Sequence, residues 1–298
     1  MNITITGASG FVGQNLSKYV MDNGHSVTEL SLRIKDWTLN EKTNAMIHLA
    51  GKAHDTSNTS DSNSYFKINR DLTIQLFNEF VKSDINDFIY FSSVKATADT
   101  IHGVLDENHC SDPKTAYGKS KLEAEKYLLS QKLPSSKRLF IIRPCMIHGP
   151  GNKGNLNLLY KVVEKGVPWP LASFENQRSF LSIDNLNFLI LKMLQNKEIS
   201  SGIYNFADDQ SLSTNDLVKI IGNVCGKKEK FWKLNATLIS CLAKFGDFMK
   251  LPLNSERLKK MTESYVVSND KIKTSLGLSK LPVSSKEGLE KTIKSFQK

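Results

Sequence analysis

Apolar positions recur along this chain with two different periods. Short apolar runs at 2–6 (NITIT), 26–30 (SVTEL), 45–51 (AMIHLAG), 87–93 (DFIYFSS) and 138–144 (RLFIIRP) read as strands. Stretches with helical spacing lie between them: 13–24 (GQNLSKYVMDNG), stopped by Gly24, and longer ones over 65–83 and 116–131. Near-continuous apolar strands alternating with amphipathic helices predict an α/β fold, a doubly wound parallel sheet covered on both faces. Residues 31–44 break the rhythm, because a doubly wound fold normally places a helix and a further strand there. That segment is read as abbreviated or irregular.

After Pro150 the pattern loosens. GPGNKGNLN is a Gly/Asn-rich loop, LLYKVVEKG a short helix, and GIYNFAD (202–208) another strand. STND (213–216) is a capping box that opens the helix LVKIIGNVCG. From about residue 230 the chain reads as mostly helical.

Charge changes this picture little. The net charge is +10, but only six of the 40 basic residues are arginine and no basic run is interleaved with aromatics. Scattered lysine is the pattern of a solvated surface, so nucleic acid is not the expected partner. No apolar run approaches the ~20 residues that cross a bilayer. No charged and apolar leader follows Met1, so membrane insertion is not expected and a cytoplasmic location is. Cys110, Cys145, Cys225 and Cys241 include no C-x-x-C pair, and the six histidines lack ligand spacing. Reduced thiols and no metal are expected.

TGASGFVG (6–13) follows the first strand and opens the first helix. Gly7 permits the tight turn, Gly10 lets the backbone approach a pyrophosphate, and Gly13 lets helix and strand pack closely. The helix N-terminus adds free N–H groups and a partial positive charge. Gly7, Ser9, Gly10, Phe11, Val12 and Gly13 are therefore the expected dinucleotide contacts. The end of the second strand selects the cofactor. Ser31 stands near the position where an acidic residue would hold a ribose 2′-hydroxyl, and Arg33 lies just beyond. Arg33 favours a 2′-phosphate, hence NADP(H). NAD(H) stays open through Glu29 or Asp36, and Arg33 as plain surface is the other reading.

AYGKSKLEAEK (116–126) places Tyr117 and Lys121 one helical turn apart. Eight tyrosines and 34 lysines make about one such spacing expected by chance, so context must decide. The glycine loop, FSSVK at a strand end and YGKSK opening a helix supply it. With IHLAG, YFKINRD, RPCMIHGPG, NQRSFLSIDNL and LSTNDL, the chain resembles the extended short-chain dehydrogenase/reductase family of nucleotide-sugar epimerases, dehydratases and reductases. Within it the chain is most similar to bacterial surface-polysaccharide enzymes acting on UDP-linked N-acetylated 6-deoxy-4-keto sugars.

The resemblance implies a Rossmann-like domain over 1–150 plus about 178–207, and a smaller, mainly helical nucleotide-sugar-binding cap over 151–177 and 208–298. It implies Ser93, Tyr117 and Lys121 as catalytic residues, with Ser92 the adjacent alternative. Lys121, on this view, also holds the nicotinamide ribose, and its ammonium lowers the Tyr117 phenol. Leu49, Ala50 and Gly51 line the cofactor, with Asn69, whose other reading is a helix cap. Asn155, Leu156, Arg178 and Arg257 meet the UDP part, the two arginines having inter-domain salt bridges as the alternative. Lys95 meets the sugar or is exposed. A homodimer joined through the helices around 65–83 and 116–131 is implied as well.

Val94 and Lys95 stand where a sugar 4,6-dehydratase carries Asp-Glu, which argues against dehydration. A 4-keto-6-deoxyhexosamine 4-reductase is favoured over a UDP-sugar 4-epimerase, because Arg33 suits NADPH and the short 31–44 segment suits the reductase-like subgroup. A non-catalytic dinucleotide- or RNA-binding relative is the third reading, disfavoured because Tyr117, Lys121 and Ser93 are all present.

Overall fold

The computed structural model describes residues 1–34, 36–52, 61–152, 154–228, 230–249 and 254–297, and leaves aside the side chains of residues 155, 256, 257 and 260. Six strands form one parallel sheet: β1 (Asn2–Thr6), β2 (Ser26–Leu30), β3 (Ala45–His48), β4 (Asp87–Phe91), then β6 (Arg138–Pro144) and β9 (Gly202–Phe206). Their order is β2-β1-β3-β4-β6-β9, so the chain reverses direction across the sheet at β1. In such sheets ligands bind beyond the carboxyl ends of the strands at that switch. Between β2 and β3 the described residues hold neither helix nor strand, in agreement with the abbreviated reading of 31–44.

Helices cover both faces. α1 (Phe11–Asp22) and α6 (Ile183–Gln195) pack together on one side. On the other lie α4 (Ala116–Ser130) and a continuous helix of three parts: α2 (Ser62–Tyr65), a π-helical stretch over Phe66–Asp71, and α3 (Leu72–Lys82). Two apolar clusters sandwich the sheet. One holds Ile3, Ile5, Leu16, Ile89 and Ile190; the other holds Met46, Phe77, Phe80, Phe88 and Ile141. Continuous burial along β3, β4 and β6 follows from being covered on both faces. β2, at the edge, has no buried residue.

Two short parallel pairs lie outside the sheet. β5 (Val104–Leu105) pairs with β10 (Val266–Val267), and β7 (Met146–His148) with β8 (Phe180–Ser182). A further apolar cluster is built by α5 (Asn155–Glu164), α7 (Thr214–Val224), α8 (Ala236–Met249), α9 (Ser255–Thr262) and α11 (Ser285–Lys294), with Trp169 and Leu171. α10 (Asp270–Ser275) instead buries Ile272 in the first sheet cluster. The expected capping box is present, Ser213 capping α7 with Asp216 answering. Among the described residues no helix is long and apolar enough to cross a membrane, and no group of three or more His, Cys, Asp or Glu could hold a metal.

Candidate active site

Three loops meet at the carboxyl ends of β1, β3 and β4. Gly7 takes φ +70°, and a side chain there would collide with the backbone nitrogen of Ala50. Leu49 N–H donates to the Thr6 carbonyl and Ala50 N–H to Thr6 Oγ1. The loops after β1 and β3 are thus laced together. α1 begins at Gly10 with neither a side-chain cap nor an acidic residue in its first turn. Its N–H groups around Phe11 and Val12 therefore keep their affinity for an anion.

A chain of buried hydrogen bonds ties this floor to the helix opposite. His48 is fully buried, with Nδ1 2.7 Å from Thr6 Oγ1 and Nε2 2.9 Å from Thr73 Oγ1. Burial, and secondarily the Lys121 charge, hold its pKa down at about 3, so the ring is neutral. Thr73 donates onward to the Asn69 carbonyl.

Asn69 sits inside the π-helical stretch and is fully buried. Its amide oxygen accepts from Lys52 N–H at 2.7 Å, and its amide nitrogen donates to the Lys52 carbonyl and to Ser120. The helix-cap alternative for Asn69 fails, since Asp61 caps that helix. Asn69 instead clamps the loop carrying Gly51. A Cβ on Gly51 would stand 3.1 Å from Asn69 Oδ1 and 3.2 Å from Lys121 Nζ, which places all three around one hollow.

The predicted triad comes together beside it. Thr115 caps α4, and Asp99 accepts both the Thr115 N–H and its hydroxyl. Gly118 lets α4 press against the 93–95 segment, because a side chain there would run into the Lys95 carbonyl. Ser93 and the half-buried Tyr117 hydrogen-bond through their side chains. Ser92 is engaged elsewhere: its hydroxyl donates to Glu125, which also takes a two-pronged ion pair from the buried Arg143. Of the two serines, Ser93 is the one that faces the tyrosine.

Lys121 is buried, its ammonium donating to the Phe91 carbonyl at 2.8 Å and lying 4.8 Å from the centre of the Tyr90 ring. Burial lowers its pKa to about 8, against a smaller opposing pull from Glu125. The expected electrostatics of Tyr117 need correction. Burial raises the phenol above its ordinary 10, the Ser93 hydrogen bond pulls it down, and the neighbouring Tyr65 raises it again. The Lys121 ammonium is turned toward Phe91, which is why it does not lead this balance.

A cationic wall adjoins the turn that follows Ser93. The Arg178 backbone exchanges hydrogen bonds with Leu212, and both its neighbours, Gln177 and Ser179, bond to Tyr265. Arg178 lies close enough to Lys95 to depress it further, after burial, and Lys259 adds to the effect; Asp99 and Glu263 oppose it. Arg178 is itself lowered by burial and raised by Glu263. Lys95 Nζ donates to the Asp99 carbonyl at 2.6 Å and stacks 4.1 Å from the Tyr265 ring centre.

Lys95 and Arg178, both singled out in the sequence, lie together with Lys259 and Tyr265, for which no motif exists. Glu125 was legible, lying one turn beyond Lys121 on the same face. The Leu156 side chain is buried in the apolar cluster of α5 and α7, because α5 turns its apolar stripe inward. The side chains of Asn155 and Arg257 lie outside the described residues. Ser31 and Arg33 are exposed just past β2, whose Leu30 is in register with Thr6, and so lie alongside the glycine loop.

A parallel sheet with a glycine loop at its switch point and a Ser-Tyr-Lys cluster beyond the next strand defines a dinucleotide-binding oxidoreductase site. The comparisons with known proteins narrow the class. Residues 3–207 match the model of the NAD dependent epimerase/dehydratase family, and the chain belongs to that family. It is an NAD(P)-dependent nucleotide-sugar enzyme.

The chain is 30% identical to a UDP-glucose 4-epimerase of Vibrio cholerae, over 99% of this chain and 95% of that one. It is 29% identical to an N-acetyl-α-D-glucosaminyl-diphospho-ditrans,octacis-undecaprenol 4-epimerase of Escherichia coli O157:H7, over 76% of this chain and 73% of that one. Among solved structures it resembles RMD from Pseudomonas aeruginosa complexed with NADPH, with a TM-score of 0.74, 18% identity and 99% of each chain covered.

Proposed function

We propose that this protein is a reductase acting at C4 of a diphosphate-linked sugar, with a UDP-4-keto-6-deoxy-N-acetylhexosamine as substrate and NADPH as donor. The observation that carries the reading is the Ser93–Tyr117 hydrogen bond at the edge of the hollow shared by Gly51, Asn69 and Lys121. The residues present fit a dinucleotide. The uncapped start of α1 and the Gly7 turn would hold the pyrophosphate, Arg33 the 2′-phosphate, and Lys121 with the Leu49–Gly51 loop the nicotinamide ribose. A nicotinamide bound there supplies hydride to the sugar carbon.

The chain's own residues handle the oxygen. Ser93 Oγ and the Tyr117 hydroxyl converge on the C4 oxygen, where negative charge develops. Tyr117 gives that oxygen its proton, and the phenolate left behind keeps the Ser93 hydrogen bond. The raised phenol keeps Tyr117 protonated at neutral pH, the state in which a reductase needs it. Lys95, Arg178 and Lys259 supply the charge that a diphosphate requires. On this reading the chain divides into a cofactor domain (1–150 plus about 178–207) and a cap (151–177 and 208–298), with the sugar bound between Tyr117 and the cationic cluster.

A second reading, 4-epimerisation, is favoured by the 30% identity to an epimerase along nearly the whole chain. The same triad serves it, with Tyr117 taking the proton before returning it. Purified protein incubated with a UDP-4-keto-6-deoxy-N-acetylhexosamine and NADPH distinguishes the two. Oxidation of NADPH in proportion to sugar supports the reductase. Interconversion of UDP-GlcNAc and UDP-GalNAc without added cofactor supports the epimerase. Neither activity would sink both readings.

A further inference from the structure

α8 has two apolar faces, and only one of them is used. Ile239, Ala243 and Gly246 recur at i, i+4 and i+7 and are buried against the helical cluster. Leu238, Leu242, Phe245, Phe248 and Met249 fall within about a third of the circumference on another side. All five are exposed, Phe245 at 57% and Phe248 at 83%. Trp232 (54% exposed) and Leu234 extend the patch just upstream. Buried side chains of that size normally stabilise a fold; a contiguous exposed set marks a surface that something covers.

Charge says what covers it. Between residues 227 and 260 the chain carries nine Lys or Arg and three Asp or Glu, so six of its ten net positive charges lie in this short span. Lys227, Lys228, Lys230, Lys233 and Lys244 are exposed. A two-fold contact with a second copy would bring this lysine cluster against itself. An anionic surface complements it, and apolar residues rimmed by lysine with a tryptophan at the edge are what such a surface accepts.

We propose that the outer face of α8 docks on an anionic lipid bilayer. The helix lies in the headgroup plane, with Phe245 and Phe248 dipping into the acyl boundary and the lysines on the phosphates. At 14 residues, α8 is too short to span. It packs on α9, whose Lys259 belongs to the cationic wall of the cleft, so the membrane face lies one helix away from the site. The proposal stands apart from the hydride chemistry and is tested without it.

The full-length protein is floated with vesicles of phosphatidylethanolamine containing about a third phosphatidylglycerol, and with vesicles of phosphatidylcholine alone. Binding to the anionic vesicles is expected, with little to the neutral ones. The bound fraction should fall roughly tenfold in half-molar salt, in the F245E/F248E variant and in K228E/K230E/K233E. Unchanged thermal unfolding shows that each variant is folded. Protein that stays with the aqueous fraction, or binds both vesicle types equally, overturns the proposal. So does a wild-type dimer that F245E/F248E dissociates while no vesicle is bound, which gives the face to a second copy.

Discussion

The hydroxyl of Tyr265 lies 2.7 Å from the carbonyl oxygen of Ala98 and 3.1 Å from that of Val94. The tyrosine precedes β10 and forms an isolated bridge with Arg178, and the two carbonyls belong to the single turn that follows Ser93 and to the residue just beyond it. One buried side chain therefore sets the distance between the cationic wall and the triad. Tyr265→Phe takes the hydroxyl donor from the buried Ala98 carbonyl, while the Val94 carbonyl keeps the Thr97 N–H, and should cost about 1–3 kcal/mol of stability. Because Ser93 is held through this turn, kcat should drop more than KM rises. Equal effects on both would assign Tyr265 to packing alone.

Lys121 predicts an alkaline limit. Its folded pKa of about 8 lies below the unfolded 10.5, so the unfolded chain binds more protons between those values. The stability contribution is complete above 10.5 and is lost as pH falls to 8; below that, burying the ammonium costs roughly 3 kcal/mol. Activity runs the other way, since the ammonium proposed to hold the nicotinamide ribose loses its charge above about pH 8. A log(kcat/KM) profile should bend downward near pH 8, and in Lys121→Arg the bend should move out of the measurable range. A profile flat to pH 9.5 would contradict this.

His48 predicts an acid limit. Its pKa is held down at about 3, against 6.5 in the unfolded chain. Its contribution is complete above pH 6.5 and disappears as pH falls toward 3, amounting to about 3 kcal/mol by pH 4. Urea unfolding of His48→Gln at pH 7 and pH 4 should show a lower starting stability and a much smaller loss between the two. An unaltered loss would mean that other groups carry the acid sensitivity.

Arg143 and Glu125 are almost wholly buried as a two-pronged pair. Arg143→Met strands the carboxylate and should destabilise by about 3–5 kcal/mol. Replacing both partners, Arg143→Met with Glu125→Leu, should restore much of that in equilibrium unfolding. A double variant as unstable as the single one would show that Ser92, the third partner of Glu125, depends on the charge itself.

The chain declared its strands well where both ends carry punctuation. The runs at 2–6, 26–30 and 138–144 coincide with β1, β2 and β6. The runs at 45–51 and 87–93 were read too long, because their last residues keep an apolar or small character while turning into the site. Leu49 to Gly51 leave the sheet to bond sideways to Thr6, and Ser92 and Ser93 turn toward Glu125 and Tyr117. β5, β7, β8 and β10 hold two or three residues each and exist only through their partners, so no local period announces them. The Ser93, Tyr117 and Lys121 grouping follows from the resemblance, since a Tyr-x-x-x-Lys spacing alone is expected once by chance. Tyr265 and Lys259 were not legible, because tertiary contact alone brings them to Lys95.

The wider turn over Phe66–Asp71 works as a phase setting for the helix that contains it. Tyr65, just before it, meets the edge of the Tyr117 ring at 6.1 Å between centres, while Asn69, within it, clamps Lys52. An uninterrupted α-helix would need one residue fewer there, and removing it would swing everything upstream by about 100°. Tyr65 would then leave the Tyr117 phenol while Asn69 kept its grip, so the length of this turn, more than its composition, governs which aromatic ring borders Tyr117.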